Sequence, residues 1–170
     1  MAFRISASCK NWFSHLSGKE PLKRIFDYYY LCAILGIAAQ HKREPDADAE
    51  EFVDDFIAPY KPYQRRIIGL LALAYLDDIG IGLKEKNEVA QKFTDLVTTE
   101  RSSNLTDEGF RLLNAYVQGG YEVLSEDMDK PHNIVFFLAK YEKLLNEKAK
   151  KNPFLSEDPE TVIKGSGPKI

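Results

Sequence analysis

The histidines and the paired carboxylates are the residues of this chain that could do chemistry. Each of the three histidines, His15, His41 and His132, stands apart from any obvious nucleophile in the sequence. Asp54-Asp55 and Asp77-Asp78 are adjacent carboxylates, which point about 100° apart on a helix and do not converge on one metal ion. No nucleophile elbow, zinc-protease, nucleotide-binding or Cys-x-x-Cys motif is present. We therefore expect a protein that is not an enzyme, with no cofactor and no metal site.

Charge is distributed unevenly along the first third of the chain. Residues 1–43 carry seven basic and two acidic side chains, and seven minus two leaves +5. Residues 44–60 carry seven carboxylates and no Lys or Arg. If folding keeps the two segments apart they form an electric dipole, and if it brings them together they neutralise each other. The net charge of −3 means that any anion-binding surface must be local.

The opening of the chain has the pattern of a short strand followed by two helices. Phe3 and Ile5 alternate with the outward Arg4, which is typical of a strand. Ser6 or Ser8 can cap a short helix that would end near Ser17-Gly18, and the next helix follows Pro21. Strand, helix and helix is the order of a ribbon-helix-helix module, in which two chains pair their strands and the ribbon enters the DNA major groove. The alternative is a plain N-terminal strap that packs on a helical domain.

In the ribbon-helix-helix interpretation, the basic side chains have distinct roles. Arg4 is the outward strand residue suited to contact base edges. Lys19, Lys23 and Arg24 lie near the start of the second helix, whose free N–H groups and dipole can hold a backbone phosphate. These four residues are candidate nucleic-acid-binding residues.

The rest of the chain must pack around residues 20–40. No charge interrupts residues 28–39, and a helix that is apolar on every face must be covered on every face. Thr106 is predicted to cap the helix that carries Gly119-Gly120, a pair that indicates the close approach of another helix or a kink. Pro131 is predicted to open the last helix. The other helices predicted from the apolar pattern are a short acidic one at 48–58, a mostly buried one at 63–79 and an amphipathic one at 84–100.

These patterns predict an all-α fold: a single multi-helix domain over residues 1–148 with a short N-terminal strand, and a flexible tail at 149–170. Cys9 and Cys32 lie among apolar residues, which indicates buried thiols in a reducing compartment. The N-terminus has no signal sequence, and the longest apolar runs are too short to cross a bilayer. We therefore expect a cytoplasmic protein without membrane contact.

The second helix has the pattern Phe-Asp-x-Tyr-Tyr-x-Cys-x-x-x-Gly, which ends in Leu35-Gly36, and the later helix contains Tyr116-x-x-Gly119-Gly120. Over about residues 3–40 and 105–125 the chain resembles small accessory proteins of bacterial DNA-phosphorothioation (Dnd-type) defence operons. The resemblance implies a ribbon-helix-helix relative with a lysine surface for DNA, which here corresponds to Lys10, Lys19, Lys23 and Arg24. This chain is longer and more acidic than the DNA-binding member, which favours an accessory subunit.

Two functional hypotheses follow. The first is a non-enzymatic accessory component of an anti-phage defence or DNA-modification system that contacts DNA through its basic N-terminal segment, with possible assembly into a homo-oligomer. The second is a helical adaptor or assembly subunit that binds a larger protein of such a complex through its acidic helix at 48–58 and its C-terminal tail, and does not contact nucleic acid. Salt-dependent DNA affinity distinguishes them.

Overall fold

A computed structural model describes residues 1–152 and residue 155. Within this part of the chain there are six α-helices and one two-stranded antiparallel sheet. The fold is therefore mainly helical with a short N-terminal strand, as the sequence predicts. In chain order the elements are β1 (Phe3–Ile5), α1 (Ala7–Trp12), α2 (Ile25–Ala38), β2 (Glu50–Val53), α3 (Gln64–Asp78), α4 (Lys86–Leu96), α5 (Asp107–Asp127) and α6 (Ile134–Lys151).

Helix α2 is central to the fold, and ten of its fourteen residues are buried. It begins at Ile25 rather than near residue 20, because Pro21 lies in the preceding turn instead of in the first helical turn. Helix α6 covers another side of α2, where the Tyr141 hydroxyl donates a hydrogen bond to the Leu31 carbonyl at 2.7 Å. The expectation that other segments surround this helix is confirmed.

Helices α2 and α5 cross in backbone contact. A Cβ atom added at Gly36 would lie 1.9 Å from the Tyr116 carbonyl oxygen, and one added at Gly120 would lie 1.9 Å from the Cys32 carbonyl oxygen. Earlier in both helices, the Tyr29 hydroxyl bonds to Asn114, so the two helices run in the same direction. Of the two explanations for the glycine pair at 119–120, close approach of another helix is therefore the one that the structure shows.

The acidic segment at 48–58 contains a strand and no helix, so its prediction as a helix is wrong. Residues Glu50–Val53 form β2, which pairs antiparallel with β1 and places Ile5 opposite Glu50. The spacing of Phe52, Val53, Phe56 and Ile57 fits a helical face, but pairing with β1 places Phe52 among the rings of Phe3 and Tyr29 instead. Tertiary pairing therefore overrides the local pattern.

Helix α5 holds the N-terminal strand through the side chain of Asn114. Asn114 is 2 % exposed; its Oδ1 accepts from the Arg4 amide at 2.9 Å and its Nδ2 donates to the Ala2 carbonyl at 3.0 Å. Phe3 and Ile5 point into the core, where Phe3 makes an edge contact with Phe110 at a centroid distance of 5.0 Å. The N-terminal strand is therefore a strap on the helical domain.

The peripheral helices differ from their predicted extents. In α3 the apolar residues 67–76 are all buried or half-buried, as expected. In the shorter α4 Leu96 is the one buried residue. Helix α6 begins after the cap residue Asn133 rather than at Pro131, and it continues to Lys151. The predicted tail at 149–170 thus overlaps the end of α6. Apart from Leu155, its part beyond residue 152 lies outside the described residues.

Candidate functional site

Arg4 and Lys10, two of the candidate DNA-binding residues, are engaged within the chain. The Arg4 guanidinium donates a hydrogen bond to the Ala49 carbonyl at 2.7 Å. Lys10 Nζ lies 2.7 Å from a carboxylate oxygen of Glu50, and this hydrogen bond and charge hold the pKa of Glu50 below its usual value. The basic opening and the acidic segment therefore meet at β2 and partly neutralise each other.

The basic residues before α2 fall into a paired and an unpaired set. Lys23 lies 2.5 Å from Glu20, whereas neither Lys19 nor Arg24 forms an ion pair with any described residue. The Arg24 amide donates to the Asp27 carboxylate at 2.7 Å, so an acidic side chain of the protein already lies at the N-terminus of α2. The helix end that could hold a phosphate is thus already supplied with an anion.

The structure does not form the ribbon of a ribbon-helix-helix module within this chain. One edge of β1 pairs with β2, and Asn114 bonds to the Ala2 carbonyl and the Arg4 amide. Of the five predicted residues, Arg4, Lys10 and Lys23 therefore have partners within the chain, and Lys19 and Arg24 have no ion pair among the described residues.

Both adjacent carboxylate pairs contribute to links between elements. Asp77 accepts a hydrogen bond from the Gln40 side chain, and Asp78 lies 2.5 Å from Lys42 Nζ. Burial, with a contribution from Asp78, raises the pKa of Asp77. Asp55 accepts from Lys61 and from Ser102 at 2.6 and 2.7 Å. The contacts of Asp77 and Asp78 connect the loop after α2 to α3, and those of Asp55 connect the segment after β2 to residues 61 and 102. No group of three metal-ligating side chains is found in the described part of the chain.

A second link joins the end of α2 to α5. The Glu122 carboxylate lies 2.5 Å from His41 Nε2 and 2.6 Å from the Arg43 guanidinium. The hydrogen bond from His41 and the interaction with Arg43 hold the pKa of Glu122 below its usual value of 4.5. His41 is therefore a structural residue of this junction.

The start of α6 presents a surface that the sequence reasoning missed. Val135 and Phe136 are each 72 % exposed, whereas the next residue, Phe137, is 1 % exposed and packs against Trp12. The Asn133 side chain accepts hydrogen bonds from the amides of Val135 and Phe136, which holds this first turn in place. The sequence does contain a signal for this exposed surface, the apolar run Ile-Val-Phe-Phe-Leu at 134–138. A surface helix cannot bury five consecutive residues on one side, so some of them must face solvent.

Basic side chains without ion pairs in the described chain lie along the sequence on both sides of this apolar pair. Lys130 and His132 precede it, and Lys140 and Lys143 follow one and two turns later on α6. None of the four forms an ion pair with a described residue. We call Val135, Phe136, Lys130, His132 and Lys140 the α6 entry face. It combines exposed apolar area with positive charge.

The comparisons with known proteins do not assign this chain to a family. No protein-family model, curated protein or solved structure matches this chain. Among the helices that the structure describes, none has the length and apolar character needed to span a membrane.

Proposed function

We propose that this protein is a non-enzymatic adaptor or assembly subunit that binds a larger protein through the α6 entry face. The observation that carries the proposal is the exposure of two adjacent large apolar side chains, Val135 and Phe136, each 72 % exposed. Single exposed apolar residues are ordinary on protein surfaces, but an adjacent pair in a capped, ordered helical turn is a ready contact point.

The size of the apolar pair suits the centre of a small interface. Full burial of a Val or Phe side chain stabilises by roughly 1.5–3 kcal/mol, and aromatic anchors dominate many interfaces. Asn133 orders the turn before binding, so little conformational entropy is lost when a partner covers it.

The charges around the pair indicate what the partner presents. Lys130, Lys140 and His132 are free of carboxylate partners within the described chain and would face an acidic rim. The partner surface is therefore an apolar pocket bordered by Asp or Glu side chains. The family resemblance of the sequence favours a larger protein of a bacterial DNA-modification or anti-phage complex as its source.

The test uses a photo-crosslinking residue at position 136 in cells, with the same residue at position 93 as a matched control. Phe93 is also an exposed aromatic, at 41 %, but it lies on α4. The proposal requires a specific adduct at position 136 that position 93 does not give. The captured protein is then purified, and its affinity is measured by calorimetry for the wild type, for V135S/F136S and for F93S.

We expect V135S/F136S to weaken binding at least tenfold, since truncating a buried anchor costs more than about 1.4 kcal/mol. F93S should remain within about twofold of the wild type. Equal affinities of V135S/F136S and the wild type would overturn the proposal.

DNA contact through the N-terminal segment is a second candidate, favoured by the absence of ion pairs at Lys19 and Arg24 among the described residues. Lys10 and Lys23 are paired with carboxylates, so Lys19 and Arg24 are the basic residues of this segment most available to phosphates. K19E/R24E should lower affinity for duplex DNA and reduce the salt slope by roughly 1.8, about 0.9 for each lost phosphate contact. R65E, a change at an exposed arginine on α3, is the control, and solution mass recorded alongside tests homo-oligomer formation. No binding at low salt would exclude this candidate.

A further inference from the structure

Two histidines from distant parts of the chain stack on the surface. His15 lies in the turns after α1 and His132 lies just before the cap of α6. Their ring centroids are 4.4 Å apart and the rings are inclined by 30°. Both side chains are exposed, so their polar nitrogens remain available to a ligand.

The charges that act on His15 are positive. Desolvation and the charges of His132, Lys130 and Lys19 hold the pKa of His15 below 6.5. Lys130 Nζ lies 3.4 Å from the Asn11 side-chain oxygen, which directs it toward α1. Two imidazoles therefore meet at one point of the surface, with Lys130 directed toward α1 and Lys19 close enough for its charge to act on His15.

The nearby carboxylates do not neutralise this cluster. Glu20 is paired with Lys23 at 2.5 Å, and Asp127 and Asp129 make no ion pair or hydrogen bond with the cluster in the described chain. The first amides of α6 at Val135 and Phe136 are occupied by the Asn133 side chain. Side chains, rather than the helix end, make up the cluster.

We propose that His15, His132, Lys19 and Lys130 bind a dianionic phosphoryl group, supplied by inorganic phosphate or by a phosphate monoester. Each ammonium offers three donors, and each protonated imidazole offers two, which suits the oxygens of a phosphate. Protonating His15 beside His132, Lys130 and Lys19 is opposed by repulsion, and a dianion offsets this better than the single charge of a phosphodiester. The site goes beyond the proposed function and does not depend on it.

Binding and protonation are therefore coupled. As the pH falls through the titration of His15, the site gains positive charge and its affinity for the phosphate dianion should rise. The rise ends where the phosphate itself takes up a proton, at its second pKa of about 6. In turn, bound phosphate should move the titration midpoint of His15 upward.

The experiment follows the imidazole ¹⁵N resonances of the full-length protein as inorganic phosphate or O-phosphoserine is added at constant ionic strength in chloride. His41 is the internal control, because Glu122 and not the cluster faces it. We expect saturable shifts at His15 and His132, a raised midpoint for His15 and no response at His41. A response to inorganic phosphate alone would identify free phosphate as the ligand, and a response to both would admit the monoester.

K19Q/K130Q and H132Q should each reduce the affinity for phosphate at least fivefold while the backbone amide spectrum stays folded. K140Q, a change at a neighbouring lysine outside the cluster, should bind as the wild type does. The absence of saturable shifts, equal shifts at His41, or saturation by duplex DNA but by neither phosphate compound would each overturn the proposal. Loss of partner binding in V135S/F136S with phosphate binding intact would separate the two proposals.

Discussion

Replacing Gly120 with alanine should destabilise the fold by separating α2 from α5. The added Cβ would lie 1.9 Å from the Cys32 carbonyl oxygen and 2.8 Å from the Gly36 nitrogen, and both are backbone atoms. No side-chain rotation can relieve the overlap. The distance to the carbonyl oxygen must increase to at least 3.0 Å, so the helices must move apart by about 1.1 Å.

The size of the effect follows from what that movement loosens. The crossing is lined by buried side chains, including Tyr29 and Leu35, so opening it approaches the effect of a large core truncation, about 2–5 kcal/mol. Alanine gains about 1 kcal/mol of helix propensity over glycine. The net loss in the free energy of unfolding is therefore roughly 1–4 kcal/mol, which corresponds to about 2–16 °C in melting temperature for a domain of this size.

Urea denaturation of G120A beside G69A measures the effect. Gly69 lies inside α3, and a Cβ built there has nothing within 4 Å, so G69A should gain about 0.5–1 kcal/mol. If G120A were as stable as the wild type while G69A gained stability, the backbone contact between α2 and α5 would not exist in solution.

Two further substitutions test the contacts of Asn114 with the N-terminal strand and the junction of Glu122 with His41 and Arg43. N114A removes the side chain that bonds to the Arg4 amide of β1, to the Ala2 carbonyl just before it and to the Tyr29 hydroxyl. Its free energy of unfolding in urea should therefore fall by about 2–4 kcal/mol, whereas Y29F, which loses one of these bonds, should lose about 1 kcal/mol. Equal losses would contradict this account. His41 helps to hold the pKa of Glu122 below 4.5 in the folded state. Near that pH the folded state therefore binds fewer protons than the unfolded state, so the ionised Glu122 stabilises the fold. This stabilisation is present above about pH 4.5 and disappears as the pH falls through the folded-state pKa. E122Q should therefore reduce the loss of stability in acid, measured as the melting temperature between about pH 6 and pH 3. The control is E126Q, at an exposed position of the same helix, which should leave this pH dependence unchanged.

Local chemistry predicted most of the helical scaffold. Ser6 and Thr106 are the N-caps of α1 and α5, and their side chains accept from Cys9 and Gly109 as their positions indicated. Such caps depend on residues within one turn, so a single sequence contains the information. The strand β2 could not be predicted in this way, because its partner β1 lies more than 40 residues earlier and its apolar spacing also fits a helix.

Which of the predicted site residues are available for binding also depends on distant parts of the chain. Whether a lysine is available depends on what lies opposite it in space, and Glu50, which pairs with Lys10, is 40 residues away. Exposure of Phe136 similarly depends on the direction in which α6 packs. An apolar run shows that some side chains of a surface helix must face solvent, but it does not show which ones.

The residues that carry the family resemblance explain the fold better than they explain the function. Gly36, Tyr116 and Gly120 meet at the crossing of α2 and α5, and Asp27 caps α2 while accepting a hydrogen bond from Tyr60. A pattern made of such residues identifies a way of packing two parallel helices, and any protein that keeps this crossing would need small residues there. The resemblance therefore constrains the scaffold, whereas the partner must be identified from surface residues such as Phe136, which the scaffold does not require.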